Sequence, residues 1–247
     1  MHTPQAVRTL TRNDTKLVTR DSFLIMMALY AFAMAVILRF VVPWLTNTLA
    51  ENYAFDLVPY YPMITGFLIV TIGPQLAGTV FGYLLLDEKD GDTLKALMVT
   101  PLSLDTFLSY RVVIAWVFGF LIALGTFLIV DLVHIPLYQA VLIAAVAALY
   151  APIAALFYAT IAKNKVEAFA LLKITGMLAF VPIAAWFVSE PWQYLFGLFP
   201  PYWATKALWV AAEGGSSWWL FLLIGLVESA AVIWWLVRRF NETAHKV

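Results

Sequence analysis

The chain has 247 residues, 63% of them hydrophobic and 12% charged, with 15 acidic and 15 basic side chains and a mean hydropathy of +0.87. Soluble domains run at about 45–50% apolar and about 25% charged, so a water-soluble fold would expose large apolar patches, and a bilayer is the expected solvent. A net charge of zero speaks against a nucleic-acid partner, and the lack of cysteine removes disulfides, thiolate metal centres and cysteine nucleophiles.

Residues 1–21, MHTPQAVRTLTRNDTKLVTRD, are too polar for the core of a signal peptide. Arg8, Arg12, Lys16 and Arg20 recur every fourth residue, with Val7, Leu10, Leu17 and Val18 on the other side of the same helical wheel. That pattern predicts a helix lying in the membrane interface, basic side toward anionic headgroups. The alternative is a disordered basic tail that serves topology alone. Six stretches then reach the roughly 20 apolar residues a span needs: Ser22–Leu45, Tyr60–Leu86, Phe107–Val133, Pro136–Ala162, Val166–Val188 and Ser217–Val237. Lipid requires the backbone to satisfy itself within each segment, and no ten-residue alternation of a barrel is present, so the expected fold is all-α with six transmembrane helices.

Within the second stretch, Gly73-Pro74 predicts a kink, and Gly78-x-x-x-Gly82 offers a close-packing face for another helix or subunit. Ala144, Ala148, Ala151 and Ala155 make a similar face on the fourth. Between the fifth and sixth, residues 189–216 are too apolar for a hydrated loop, and Pro200-Pro201 divides them into pieces too short to cross. A re-entrant hairpin covered by protein is expected there, against the alternative of an aromatic loop lying flat on the surface.

Basic residues set the orientation. Lys89, Lys95, Lys163, Lys165, Arg238, Arg239 and Lys246 join the N-terminal cluster on one side, whereas Thr46–Pro59 and Asp131–Ile135 contain no Lys or Arg and the last outer connection holds only Lys206. Both termini are therefore expected in the cytoplasm, together with the segment 87–106. Trp44, Tyr60, Tyr61, Trp186, Trp192, Tyr202, Trp203, Trp218 and Trp219 fall near the outer ends and Trp234 and Trp235 near the inner end of the last span, as an interfacial belt would.

Enzymatic motifs are missing. His2, His134 and His245 lie apart, and HExxH, G-x-S-x-G and the phosphate loop G-x-x-x-x-G-K-[ST] do not occur. Asp90-Gly91-Asp92 lacks the further ligands and distal Glu of a calcium loop. Ionisable groups inside spans point to function by default. Arg39 and Lys173 lie near span ends and can snorkel. Arg111 can reach back to the acids at Asp87–Asp92 and anchor that connection. Glu228 lies near the centre of the last span, where a transport role and a structural pairing are both open.

The connection DEKDGDTLKALMVTPLSLDTFLSYR is the most informative stretch. Leu94, Leu97 and Met98 share one side of a short helical run, Thr100-Pro101 ends it, and Ser103 with Asp105 can start the next helix. Its wording resembles the charged-Gly-Thr-Leu…Leu…Thr-Pro signature of type-2 ABC transporter permeases, with Thr93-Leu94, Leu97, Val99-Thr100-Pro101 and Tyr110-Arg111 matching and one departure: Gly91 precedes Asp92 rather than Thr93. It is also similar to permeases labelled fluoroquinolone or drug exporters. The resemblance implies a single permease domain over residues 1–247 with no catalysis of its own. It implies a second permease copy, identical or homologous, and a separate subunit that binds ATP and Mg. That subunit would grip a cytoplasmic coupling helix through Asp87, Glu88, Asp90, Gly91, Asp92, Thr93, Leu94, Leu97, Met98, Thr100, Pro101 and Arg111. Pro200, Pro201 and Tyr202 of the outer hairpin would line the exit, with Glu228 and Arg39 as further candidates for the path. The cargo would be amphiphilic, drug-like or lipid-like, carried out of a bacterial or archaeal cell. A secondary transporter or channel that needs no ATPase is the rival reading; it predicts paired carboxylates or broken helices in matching halves.

Overall fold

In the computed structural model, residues 20, 22–90 and 104–244 are described; the expected interfacial helix and most of the coupling segment lie outside them. The elements in order are α1 (Ser22–Tyr53), a short 3₁₀ turn (Val58–Tyr60), α2 (Tyr61–Gly66), a π-helical stretch (Phe67–Ile72), α3 (Gly73–Asp90), α4 (Leu104–Val130), α5 (Leu137–Ala147), α6 (Tyr150–Ile161), α7 (Lys165–Leu178), α8 (Val181–Trp186), a 3₁₀ segment (Trp192–Leu198), α9 (Pro201–Ala212) and α10 (Trp218–Ala244). No strand occurs among the described residues. Six spans result: α1, the run Val58–Glu88, α4, the pair α5–α6, the pair α7–α8, and α10. The protein is a multi-pass, all-helical membrane protein.

Proline places the breaks. Its ring crowds the carbonyl four residues back and it donates no hydrogen bond. Pro152 displaces the turn at Ala148, where α5 gives way to α6. Pro182 does the same near Leu178, between α7 and α8. Ahead of Pro74 the second span widens into the π stretch, in which Gly73 N–H reaches the Leu68 carbonyl, five residues back. The kink expected at Gly73-Pro74 is therefore a π insertion spread over the preceding turn. Pro43, by contrast, sits inside an unbroken α1. The first span ends later than its hydropathy indicates, at Tyr53, where Ala54 turns to a φ of 50°. The third ends earlier, at Val130, where Asp131 takes a φ of 52°.

The second and fourth spans form the centre, with 78% and 67% of their most apolar window buried, against 18–28% for the other four. They meet through small residues. A Cβ on Gly78 would stand 2.5 Å from the Ala151 carbonyl oxygen, and one on Gly82 would stand 2.9 Å from the Tyr158 ring. Gly119 of α4 meets the same Ala148–Ala151 stretch, 2.8 Å from the Ala151 methyl. The Gly78-x-x-x-Gly82 face is thus used inside the chain, against the alanine face of the fourth span. Leu29, Phe40, Val113, Leu121, Met177 and Val227 point outward, as lipid-facing side chains do.

Candidate functional sites

At the basic end of the bundle, α3 finishes with Asp87 and Glu88 just where the apolar run stops. Glu88 receives two hydrogen bonds from Arg111 of α4, one of them Nε to Oε2 at 3.1 Å, in a forked pair. The Arg111 side chain is 1% exposed and the Glu88 side chain 11%. The guanidinium also packs against the rings of Phe107 and Tyr110, 5.2 and 5.5 Å from their centroids. Asp87 pairs with Lys165 at the start of α7, 2.9 Å away. That helix begins on Asn164, whose side chain accepts from Val166 and Glu167 N–H at 3.0 Å each, while Glu167 accepts from Lys163 N–H at 2.9 Å. Two ion pairs thus tie the end of the second span to the third and the fifth. Asp90 is the last residue of α3. Gly91, Asp92, Thr93, Leu94, Leu97, Met98, Thr100 and Pro101 lie outside the described residues.

The opposite, aromatic end holds the hairpin. Its first arm is the 3₁₀ segment, which leaves Trp192, Leu195 and Leu198 exposed, and its second arm is α9, starting at Pro201. The Schellman turn at Gly214, with Gly215 N–H on the Val210 carbonyl at 2.8 Å, ends α9. Gln193 holds the arms together: its Nε2 donates to the Ala185 carbonyl at 2.8 Å, and its Oε1 accepts from Lys206 at 2.6 Å and Tyr202 at 3.2 Å. Lys206 also pairs with Glu190 at 2.6 Å, which holds that carboxyl below its ordinary range. Trp203, Tyr194 and Phe221 form a cluster of three mutually packed rings, with centroids 6.2–6.4 Å apart, and the Trp203 indole N–H donates to the Gly197 carbonyl at 3.0 Å. At the turn, Phe199 meets Tyr150 edge to face, 5.6 Å between centroids, and Tyr150 lies at the middle of the fourth span. Tyr202, read from sequence as part of an interfacial belt, is fully buried, and Trp203 is largely so. The hairpin packs on α10, and the belt at this end is left to exposed Trp44, Trp192 and Trp219.

Arg39 donates to the Ile129 carbonyl at 2.7 Å and pairs with Asp131 at 3.5 Å, at the end of the third span. Lys173 is exposed with its ammonium over Phe169. Glu228 is half-buried in α10 beside Trp203 of the hairpin. Sequence reasoning missed one polar cluster. Gln75 of α3, Tyr158 of α6 and Thr175 of α7 meet at bilayer depth, with Gln75 Nε2 to Thr175 Oγ1 at 3.1 Å and the Tyr158 and Thr175 hydroxyls 2.6 Å apart. The available signal was a buried-type amide directly after Pro74 in an otherwise apolar span. No group of three or more His, Cys, Asp or Glu suited to a metal occurs among the described residues.

The family model described as fluoroquinolones export permease protein Rv2686c-like matches residues 14–237. The chain is 37% identical over 241 residues to two curated proteins, fluoroquinolones export permease protein MT2760 of Mycobacterium tuberculosis strain CDC 1551 / Oshkosh and fluoroquinolones export permease protein Rv2686c of strain ATCC 25618 / H37Rv. Each alignment covers 96% of this chain and 95% of the relative. Six spans, a match over nearly the whole length and the permease wording of the second-to-third connection agree: this membrane protein belongs to the Rv2686c-like fluoroquinolone export permease family.

Proposed function

We propose that the chain is the membrane subunit of an ATP-driven exporter of amphiphilic, drug-like molecules, fluoroquinolones among them, in a bacterial or archaeal cell membrane. A separate subunit binds ATP and Mg, and a second permease copy completes the pore. The carrying observation is the pair of ion pairs that flank residues 91–103. Glu88–Arg111 and Asp87–Lys165 fasten the start of that segment to the third and fifth spans. A push on the segment then moves three spans together instead of bending a loose loop. In this reading Asp87 to Pro101 is the cytoplasmic coupling element, Leu94, Leu97 and Met98 are its contact face, and both termini are cytoplasmic. ATP binding favours one arrangement of the spans through differential contact at this surface. The hairpin enters the outer half of the bilayer, an assignment supported by the Phe199–Tyr150 contact, and its Pro200-Pro201 turn with Tyr202 borders the exit.

The test is affinity purification of the tagged chain from its native membrane. Recovery of a Walker A-bearing subunit is expected, and Leu94→Asp with Leu97→Asp should abolish it while membrane insertion stays intact. Unchanged recovery after that double substitution, or proton-driven uptake by the chain alone in liposomes, would overturn the proposal in favour of a secondary transporter.

A further inference from the structure

A groove of about 430 Å³ runs between α5 and α10 toward the end of the bundle that carries the hairpin, within the range of about 300–1,000 Å³ usual for ligand sites. One wall is formed by Leu142 and Ala145 of α5 and by Leu149 at the break before α6. The other is formed by Trp218, Trp219 and Leu226 of α10. Trp116, at the middle of α4, completes the lining, with its indole N–H donating to the Ala145 carbonyl at 2.8 Å and its ring stacked on Phe120. From Trp218 to Leu226 the wall runs about 12 Å at about 1.5 Å per residue. One leaflet of a hydrocarbon core of about 30 Å is about 15 Å deep, so the groove is about as long as a single leaflet.

The lining decides what fits. No side chain in it carries an ionisable, hydroxyl or amide group. A buried water needs about two to four polar partners, so the space does not suit water. A charged or zwitterionic drug would bury unpaired charge there. A second copy of the chain is a poor occupant, because helices associate in lipid through small residues that let backbones approach, and these rims are Leu and Trp. The groove is instead continuous with the lipid-facing surface: Leu142 on one rim is 48% exposed, and Trp219 and Leu226 on the other are 49% and 45% exposed. Trp218 and Trp219 start the last span, at the level where indoles meet lipid headgroups. A hydrocarbon chain entering beside them needs no polar partner and supplies the van der Waals contacts that an empty groove would lack.

We infer that this groove is a binding site for one acyl chain of a phospholipid in the leaflet at the hairpin end, seated between the fourth and sixth spans with its methyl end toward Trp116. The site does not depend on the transport reading. Its test uses the full-length chain. Phospholipid carried through detergent purification is measured by phosphate analysis, and the chain is also reconstituted in nanodiscs, one or two copies per disc. The disc lipid is phosphatidylcholine brominated near either the carboxyl or the methyl end of its acyl chains, since bromine quenches indole emission on contact. Emission from Trp116 is the difference between the parent and Trp116→Phe. The parent should retain phospholipid, and methyl-end bromine should quench Trp116 more than carboxyl-end bromine, saturating at a low fraction of brominated lipid. Ala145→Phe fills the groove while keeping the backbone carbonyl that holds Trp116, and Leu226→Phe fills it from the exposed rim. Each should lower lipid retention and Trp116 quenching severalfold. Retention and quenching unchanged in both variants, at unchanged helicity and elution volume, would mean bulk lipid alone and overturn the inference. Quenching that rises only in proportion to brominated lipid would do the same. Quenching present with one copy per disc and absent with two would give the groove to a second copy and overturn it equally.

Discussion

Removing Arg111 should reveal how much the base of the bundle depends on one ion pair. The guanidinium is 1% exposed and Glu88 is 11% exposed, so neither charge can turn to water when its partner is lost. Arg111→Met keeps much of the apolar stem but removes the guanidinium that packs over Phe107 and bonds twice to the Glu88 carboxylate. Breaking a buried pair in this way costs about 3–5 kcal/mol, because an uncompensated charge is left behind. Replacing both members with apolar groups of similar size is often neutral, so Arg111→Met combined with Glu88→Leu should recover most of that loss. The assay is SDS-induced unfolding of the purified protein in mixed micelles, followed by tryptophan fluorescence for the parent, both single variants and the double variant. A coupling free energy of about 3 kcal/mol or more is expected from the cycle. If either single substitution leaves the unfolding midpoint unmoved, or the two effects simply add, the pair does not hold the spans together, and its role in transmitting a push would fall with it.

Two further outcomes follow from the packing and the hairpin. Gly78→Ala must push a methyl group into the Ala151 carbonyl, 2.5 Å away on a backbone that cannot swing aside, so a loss of about 1–3 kcal/mol is expected in the same unfolding assay. Gly176→Ala, with nothing within 4 Å, should be neutral or stabilising by up to about 1 kcal/mol, since only helix propensity changes. Glu190 titrates below its ordinary value of 4.5 because of its hydrogen bond from Lys206. A carboxyl depressed in the folded state contributes stability that is complete above the ordinary value and is lost as pH falls through the depressed one. Tryptophan emission from the hairpin should therefore stay constant from neutral pH down to about 4.5 and shift only below it, and Glu190→Gln should remove that step.

Much of the fold was legible from the chain because lipid makes a simple demand. Every backbone polar group must be satisfied within its own segment, so length and apolarity alone divide residues 22–242 into six helices, and proline chemistry marks where they bend. The family resemblance of the polar connection was also legible, since charges, Leu spacing and Thr100-Pro101 are local features. Its partners were not. That Arg111 pairs with Glu88, and Asp87 with Lys165, depends on which spans stand side by side. The meeting of Gln75, Tyr158 and Thr175 has the same origin, as residues 83 and 17 positions apart come together only through packing of the second, fourth and fifth spans.

The sequence by itself determined the six helical spans, because hydropathy and helix breakers act over a few residues at a time, and the permease family was readable only through the resemblance of the second-to-third connection. Only the tertiary structure decided which helices occupy the centre, that the Gly78 and Gly82 face is closed inside the chain, and that Tyr202 and Trp203 are interior walls and not interfacial anchors. The reason is physical: an apolar residue facing lipid and one facing a neighbouring helix satisfy the same local pattern. Shape complementarity at close range, where small residues admit a neighbouring backbone, is what separates the two.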